Sequence, residues 1–233
     1  MQSLWVDLTG MTRGRRWVST VWTALIVVIL MSAGAGLAPS PVRAAPPASV
    51  PAGVERFVIV PASSEALYRV GETFLNRGNQ FKVAVGSTHG IQGQILVDRA
   101  HPRQTRIDPI TVDISQLVSD SRHRDREIQS RWLESAKYPT AVFTPTAIDG
   151  LPSAYVDGQA IPVRIAGNLR VRDVTKPVTF TGTVTLTGGT LTGKATTSIL
   201  MTDFGFDPPS IFGVLNAQNQ AEIEIQFTAQ RAP

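Results

Sequence analysis

From Phe57 onward, apolar and polar residues alternate with a period of two through most of the chain. Side chains of an extended strand point to opposite faces in turn, so this pattern predicts strands with one dry and one wet side. The plainest is 176–187, where Val178, Phe180, Gly182, Val184 and Leu186 share one parity and five threonines hold the other. Ile223, Ile225 and Phe227 alternate with Glu222, Glu224 and Gln226, and Ile161, Val163, Ile165, Leu169 and Val171 with Arg164, Arg170 and Arg172. Weaker alternation runs through 67–74, 81–85, 91–97, 107–114, 141–148 and 191–201, for about eight or nine strands in all. Gly188-Gly189 between two of them suits a tight hairpin. One-faced alternation repeated along a chain argues for an all-β fold, an antiparallel sheet closed as a barrel or folded as a sandwich.

Residues 122–136 break the alternation. Ile128 and Trp132 lie four apart with Leu133 beside them, and Glu127 precedes Arg131 by four, the favourable order for a helical pair. The spacing predicts one short amphipathic helix or a pair of helical turns. Asp120 or Ser121 would cap its start, and Tyr138-Pro139 would end it.

Ahead of the body stands a different composition. Arg13, Arg15 and Arg16 precede an apolar stretch from Trp17 to Leu30, small residues to Ala38, and Val42-Arg43-Ala44. That order is a secretory signal, with cleavage expected after Ala44. Left uncleaved, the 22 residues from Trp17 to Ala38 are long enough to span a bilayer as an anchor. In either form the arginines stay inside and the rest faces outward, so an extracytoplasmic place is expected, in the periplasm, the cell envelope or the medium. Segment 1–44 is thus a signal peptide or anchor, 45–56 a Pro/Ala-rich tether, and 57–230 the single β domain.

The formal charge of +4 would suit a nucleic-acid partner, but four arginines and one aspartate belong to the first 44 residues. Subtracting them from 22 and 18 leaves 18 basic against 17 acidic residues, without the surplus a basic groove needs. Cysteine is absent, which excludes disulfides, thiolate sites and cysteine nucleophiles. His89, His101 and His123 are scattered, and although Asp120 and His123 would share one helical turn, Arg122, Arg124 and Arg126 around them oppose a cation. No metal, cofactor or catalytic constellation is expected, because no nucleophile elbow, P-loop or dinucleotide fingerprint appears.

The remaining candidates point to a ligand. Strand parity places Val83, Val85, Ile95 and Val97 inside on the early strands, and Val112, Ile114 and Phe143 in the middle. On the late strands it places Ile165, Leu169, Val178, Phe180, Val184 and Ile199 inside, with Phe204 near the last turn. Gly93, Gly182 and Gly193 share these registers, so the interior has room for an apolar occupant; the opposing reading is a filled barrel whose glycines mark bends. Arg124 and Asp125 read either as a head-group contact at the barrel mouth or, preferred, as an anchor pinning the helix. Glu65 and Tyr68 fit rim or surface equally, and Phe204 and Phe206 around Gly205 form a lid or an apolar corner.

Three blocks carry a family resemblance. Arg124-Asp125, Ile128, Ser130, Trp132-Leu133-Glu134, Tyr138-Pro139, Ala141 and Phe143 resemble a signature of the YceI-like family. Gly167-Asn168-Leu169 with Val174-Thr175-Lys176-Pro177-Val178 resembles its second block, and Asp203-Phe204-Gly205 its third. The resemblance implies a lipocalin-like extended antiparallel barrel that encloses a polyisoprenoid or similar long-chain lipid, an exported location and, in some members, a homodimer. Two positions depart from the family. Asp173 replaces the usual Gly, which a left-handed backbone would tolerate, and Met201 stands where many members carry Arg. The functional expectation is an exported, non-catalytic lipid-binding protein with transient membrane contact; its alternative is an envelope structural or interaction module with a filled barrel.

Overall fold

The computed structural model describes residues 53–233. The leader and most of the tether lie outside the described residues. Alternating segments become β1 (Val54–Ile59), β2 (Glu65–Phe74), β3 (Gln80–Thr88), β4 (Ile91–Gln92), β5 (Gln94–Asp98), β6 (Arg106–Ile107), β7 (Ile110–Asp113) and β8 (Val118–Ser119). After the helix α1 (Arg122–Glu127) come β9 (Thr140–Asp149), β10 (Ala160–Val171), β11 (Val174–Thr187), β12 (Thr190–Leu200), β13 (Ser210–Ile211) and β14 (Leu215–Arg231). All pair antiparallel within one sheet.

These segments make eight walls. β9, β10, β11, β12 and β14 are unbroken and pair in that order. The other three walls are bent. β1 and β2 form one strand interrupted by the turn Pro61–Ser63; β3, β4 and β5 form another, broken around Gly90 and Gly93; β6, β7 and β8 form a third, broken at Pro109 and the turn Ile114–Gln116. β14 pairs with β2 and, at its far end, with β1, which pair in turn with β3 and β5. β4 pairs with β7 and β7 with β9, which closes the circuit. The expected all-β antiparallel barrel with one short helix is the fold observed. Its first wall begins earlier than expected, because Val54, Glu55 and Arg56, placed in the tether from sequence, already pair with β5.

Two apolar clusters hold the walls together. Phe57, Ile59, Ile91, Ile95, Val97, Leu186, Leu191 and Ala229 fill one end, beneath the β11–β12 hairpin. Gly188 makes that hairpin possible with a φ of +57°, a left-handed conformation that favours glycine. Val70, Leu169, Val171, Ile199, Met201, Phe204 and Ala221 form the second cluster, with Leu133 packed against it from beyond the helix.

Ser121 is the helix cap, its hydroxyl accepting from the Arg124 amide at 3.3 Å. After one α-turn the helix widens into a π-turn at Ile128–Trp132, where the Leu133 amide donates to the Ile128 carbonyl. That extra residue shifts the side chains around the axis, and among the described residues Glu127 and Arg131 form no ion pair. In the β10–β11 turn it is Arg172, not Asp173, that takes the left-handed conformation, with φ +56°. Its guanidinium repays the strain by pairing with Glu134 and donating to the carbonyls of Trp132 and Gly205, both at 3.4 Å. The helical segment is thereby tied to the barrel.

Candidate ligand-binding cavity

Between the walls lies a cavity of about 440 Å³, bordered by members of both clusters. That size falls within the roughly 300–1,000 Å³ of small-molecule sites. The bent walls contribute Ile95, Val97, Val112 and Ile114, and the unbroken walls Phe143, Ile165, Leu169, Phe180, Val184 and Ile199. Phe143 and Phe180 meet edge to face with centroids 4.9 Å apart, a favoured aromatic geometry. These ten positions agree with strand parity.

Four expected lining residues stand elsewhere. Val83 and Val85 face outward, 51% and 39% exposed, and Ala84 takes the inward place. The cause lies on the neighbouring strand. The Tyr68 ring lies across Gly86, where an added Cβ would come within 2.3 Å of it, so the even positions of β3 must face inward whatever the apolar pattern says. Val178 is half-buried beside the second cluster, outside the cavity. Phe204 is fully buried in that cluster, while its neighbour Phe206 reaches the cavity wall. The glycines also differ from expectation. Gly93 is covered by Ile110, Gly193 by the Phe227 ring, and Gly182 by the backbone of Lys194 and Ala195. They admit neighbouring groups and do not themselves open the cavity.

Several further lining residues lie in segments expected as strands but were not themselves expected to line the cavity. Tyr68 and Val70 were hidden by the weak alternation of β2, whereas Ile161, Val163, Ile223, Ile225 and Phe227 carried a clear apolar parity that marks them as inward. Met201 is buried in the wall as well, adding an apolar thioether. Ile128, Trp132 and Leu133 cover the cavity from the helical segment.

Polar groups gather where that segment meets β2. Arg124 holds Glu72 with a fork of two hydrogen bonds, Nε to Oε1 at 3.1 Å and Nη2 to Oε2 at 2.9 Å. Its Nη1 donates to the Ser119 hydroxyl at 3.2 Å and also pairs with Asp120. Burial works against the Arg124 cation, but the Glu72 and Asp120 carboxylates more than offset it and raise its pKa above the usual arginine value. Asp125 turns away from the cavity and accepts from the Ser119 amide and hydroxyl at 3.0 and 2.6 Å, which fixes β8 to the helix. The geometry of both residues is that of a helix anchor. Beside them the Tyr68 hydroxyl is buried with no hydrogen-bond partner, and burial pushes its pKa up to about 12.

Charge inside the cavity is therefore sparse and already compensated. Arg124 is the one arginine or lysine among the described lining residues, against Glu72 and Glu127, with His123 and Ser121 beside them. No group of three or more metal-ligating side chains forms among the described residues. His89 sits in a turn, its Nδ1 2.6 Å from the Ser64 carbonyl.

Comparison with known proteins bears on the family and the fold. The model of the YceI-like domain matches residues 57–230. A UPF0312 protein of Pseudomonas putida strain GB-1 is 31% identical over 153 residues, covering 63% of this chain and 74% of that protein. Among solved structures, Burkholderia cenocepacia BcnA superposes with a TM-score of 0.56 at 18% identity, over 74% of this chain and 99% of BcnA. A polyisoprenoid binding domain from Saccharophagus degradans implicated in plant cell wall breakdown gives 0.55 at 9% identity, over 76% and 98%. At such identities these two structures speak for the fold.

Proposed function

The chain belongs to the YceI-like domain family, and on that premise we propose that it binds one long-chain isoprenoid lipid, tail inward, as a non-catalytic holder or carrier outside the cytoplasm. The observation that supports this reading is the 440 Å³ cavity, apolar along most of its walls and charged only where the helix meets β2. Hydrocarbon burial contributes about 0.8 kcal/mol per methylene relative to water. A lipid taken from a bilayer exchanges one apolar environment for another, so uptake and release stay near balance and need no energy source.

Head-group chemistry follows from the charges. An anionic phosphate would need a free cation, but the Arg124 guanidinium is already shared between Glu72 and Asp120, and Glu127 adds negative charge nearby. No other lysine or arginine among the described lining residues could meet a second anion, whereas a neutral head leaves no charge unpaired. The reading is therefore of a neutral head, an alcohol or carbonyl, over a phosphate or pyrophosphate.

The test is mass spectrometry of lipid extracted from the exported protein, followed by competition between a prenol and the matching prenyl phosphate delivered in micelles. A single stoichiometric isoprenoid and a preference of about tenfold for the prenol, whose head leaves no unpaired anion beside Glu72 and Glu127, are expected. An empty protein that takes neither lipid overturns the reading in favour of an interaction module, and a preference for the phosphate overturns the head-group assignment alone.

A further inference from the structure

Exposed apolar side chains collect at one place on the surface. The turn after β2 carries Leu75, and β13 with its turn carries Ile211, Phe212 and Val214; the Leu75 amide donates to the Val214 carbonyl at 2.8 Å, so the two loops lie side by side. Leu75, Ile211 and Val214 are 37–41% exposed and Phe212 is fully exposed. Phe81, 55% exposed, extends the patch along the outer face of β3, its ring near Gly71 and Gln218. Contiguous exposed apolar surface of this kind marks an interaction site.

Two features select its partner. Ile211 and Val214 also border the cavity, so the patch is continuous with the interior at its mouth. The loops themselves are free of carboxylates: 75–82 carries Arg77 and Lys82, and 208–214 carries no charge. Of the acids around them, Asp207 precedes the second loop, Glu72 stands opposite Lys82 but is held by Arg124, and Asp120 lies near Lys82. Apolar side chains flanked by cations are the requirements of an anionic bilayer surface, where aromatic and aliphatic groups enter the headgroup boundary and basic groups meet lipid phosphates.

We propose that these two loops are a membrane-docking tip, which seats the cavity mouth on an anionic bilayer so that lipid passes between bilayer and barrel without crossing water. The passage of lipid rests on the cavity reading above; the docking does not. Residues 47–233 suit the test, because the described strand pairings form a complete barrel with both clusters inside 53–233, and BcnA matches this barrel over 99% of its own length.

The experiment is flotation of residues 47–233 with vesicles of phosphatidylglycerol and phosphatidylcholine and with phosphatidylcholine alone. The variants are Leu75→Ser/Phe212→Ser and, as a control, Val156→Ser, which removes an exposed apolar group (59%) from another loop. The parent is expected to bind the anionic vesicles more than the neutral ones. The double variant should lose about tenfold or more, as two large side chains leave the boundary, while Val156→Ser binds like the parent. Equal binding by the double variant, or no binding by the parent, overturns the proposal. So does a parent dimer on size exclusion that the double variant dissolves without any vesicle binding, since a second copy would then cover the patch. An unchanged melting transition excludes unfolding of the double variant. Prenol uptake from micelles, measured in parallel, should be the same in both proteins, and its absence counts against the cavity reading and leaves docking standing.

Discussion

The unbroken and bent walls of the barrel are built from similar residues yet differ in what they do. Between β10 and β11 the ladder runs from Ala160 opposite Thr185 to Val171 opposite Val174 without a slip, and β12 follows β14 just as closely from Thr190 to Leu200. Across the barrel, β3 meets β8, β4 meets β7 and β5 meets β6 through two residue pairs each. Gly90, Gly93 and Pro109 interrupt that seam, and a proline cannot donate to a ladder. Long ladders commit every backbone group and fix the frame, while short ones let three strands bend so that eight walls close around a cavity. The helical segment covers part of the cavity beside the bent walls, and the Arg124–Glu72 pair ties it to β2. Stability and adaptability have been separated between two sides of one sheet.

The sharpest way to break that arrangement is at the tie. Arg124→Ala leaves the buried Glu72 carboxylate without its partner, and a cost of about 3 kcal/mol is expected in urea denaturation. The double change Arg124→Met/Glu72→Met removes both charges and should recover most of it. Failure to recover would mean that the pair contributes more than compensation of its own burial.

A matched pair of truncations measures the two sides directly. Val163 on β10 is 3% exposed and Val112 on β7 is half-buried, although both border the cavity. Val163→Ala should cost about 2 kcal/mol and Val112→Ala about 1. Amide exchange should be faster in β6, β7 and β8 than in β10, β11 and β12, because short ladders open locally at lower cost. Equal costs and equal protection would show that the seam is as rigid as the frame.

The smallest effect concerns a tie on the outer surface, where β14 joins β12 and β2. Desolvation would raise the pKa of Glu224, but hydrogen bonds from Lys194, Gln226 and Arg69 hold it down to about 2. A carboxylate depressed in the folded state stabilises above its unfolded pKa, and that contribution is lost as pH falls from about 4.5 towards 2. Since Arg69 is partly exposed and Lys194 largely so, screening limits it to about 1 kcal/mol. Glu224→Gln should remove this part of the acid dependence, and an unchanged pH profile of melting would refute the assignment.

Legibility in the sequence followed the same division. The long strands β10, β11, β12 and β14 were plain because their solvent faces are threonines, arginines and glutamates, which makes alternation strong. The bent walls were weak signals: the first half of β1 was taken for tether, and β3 carried its valines on the outside. The cap at Ser121 was readable from residue type, but the widened turn after it was not, since nothing local distinguishes one extra residue per turn. Of the polar candidates, Arg124 and Asp125 were visible as a pair, whereas Glu72 and Tyr68 lay in a strand whose parity gave no hint that they would meet them.

Alternation, composition and turn residues by themselves determined an antiparallel β domain, its strongest strands, its short helix and the apolar character of its interior. Those properties depend on residues within a few positions of each other. Only the tertiary structure decided which parity of β3 faces inward, how three bent strands close the ring, and that Arg124 reaches Glu72 some fifty residues away in the chain. An alternating strand has two faces of fixed chemistry, and which of them is buried is settled by the bulk that the neighbouring strand, here through Tyr68 against Gly86, brings to the same place.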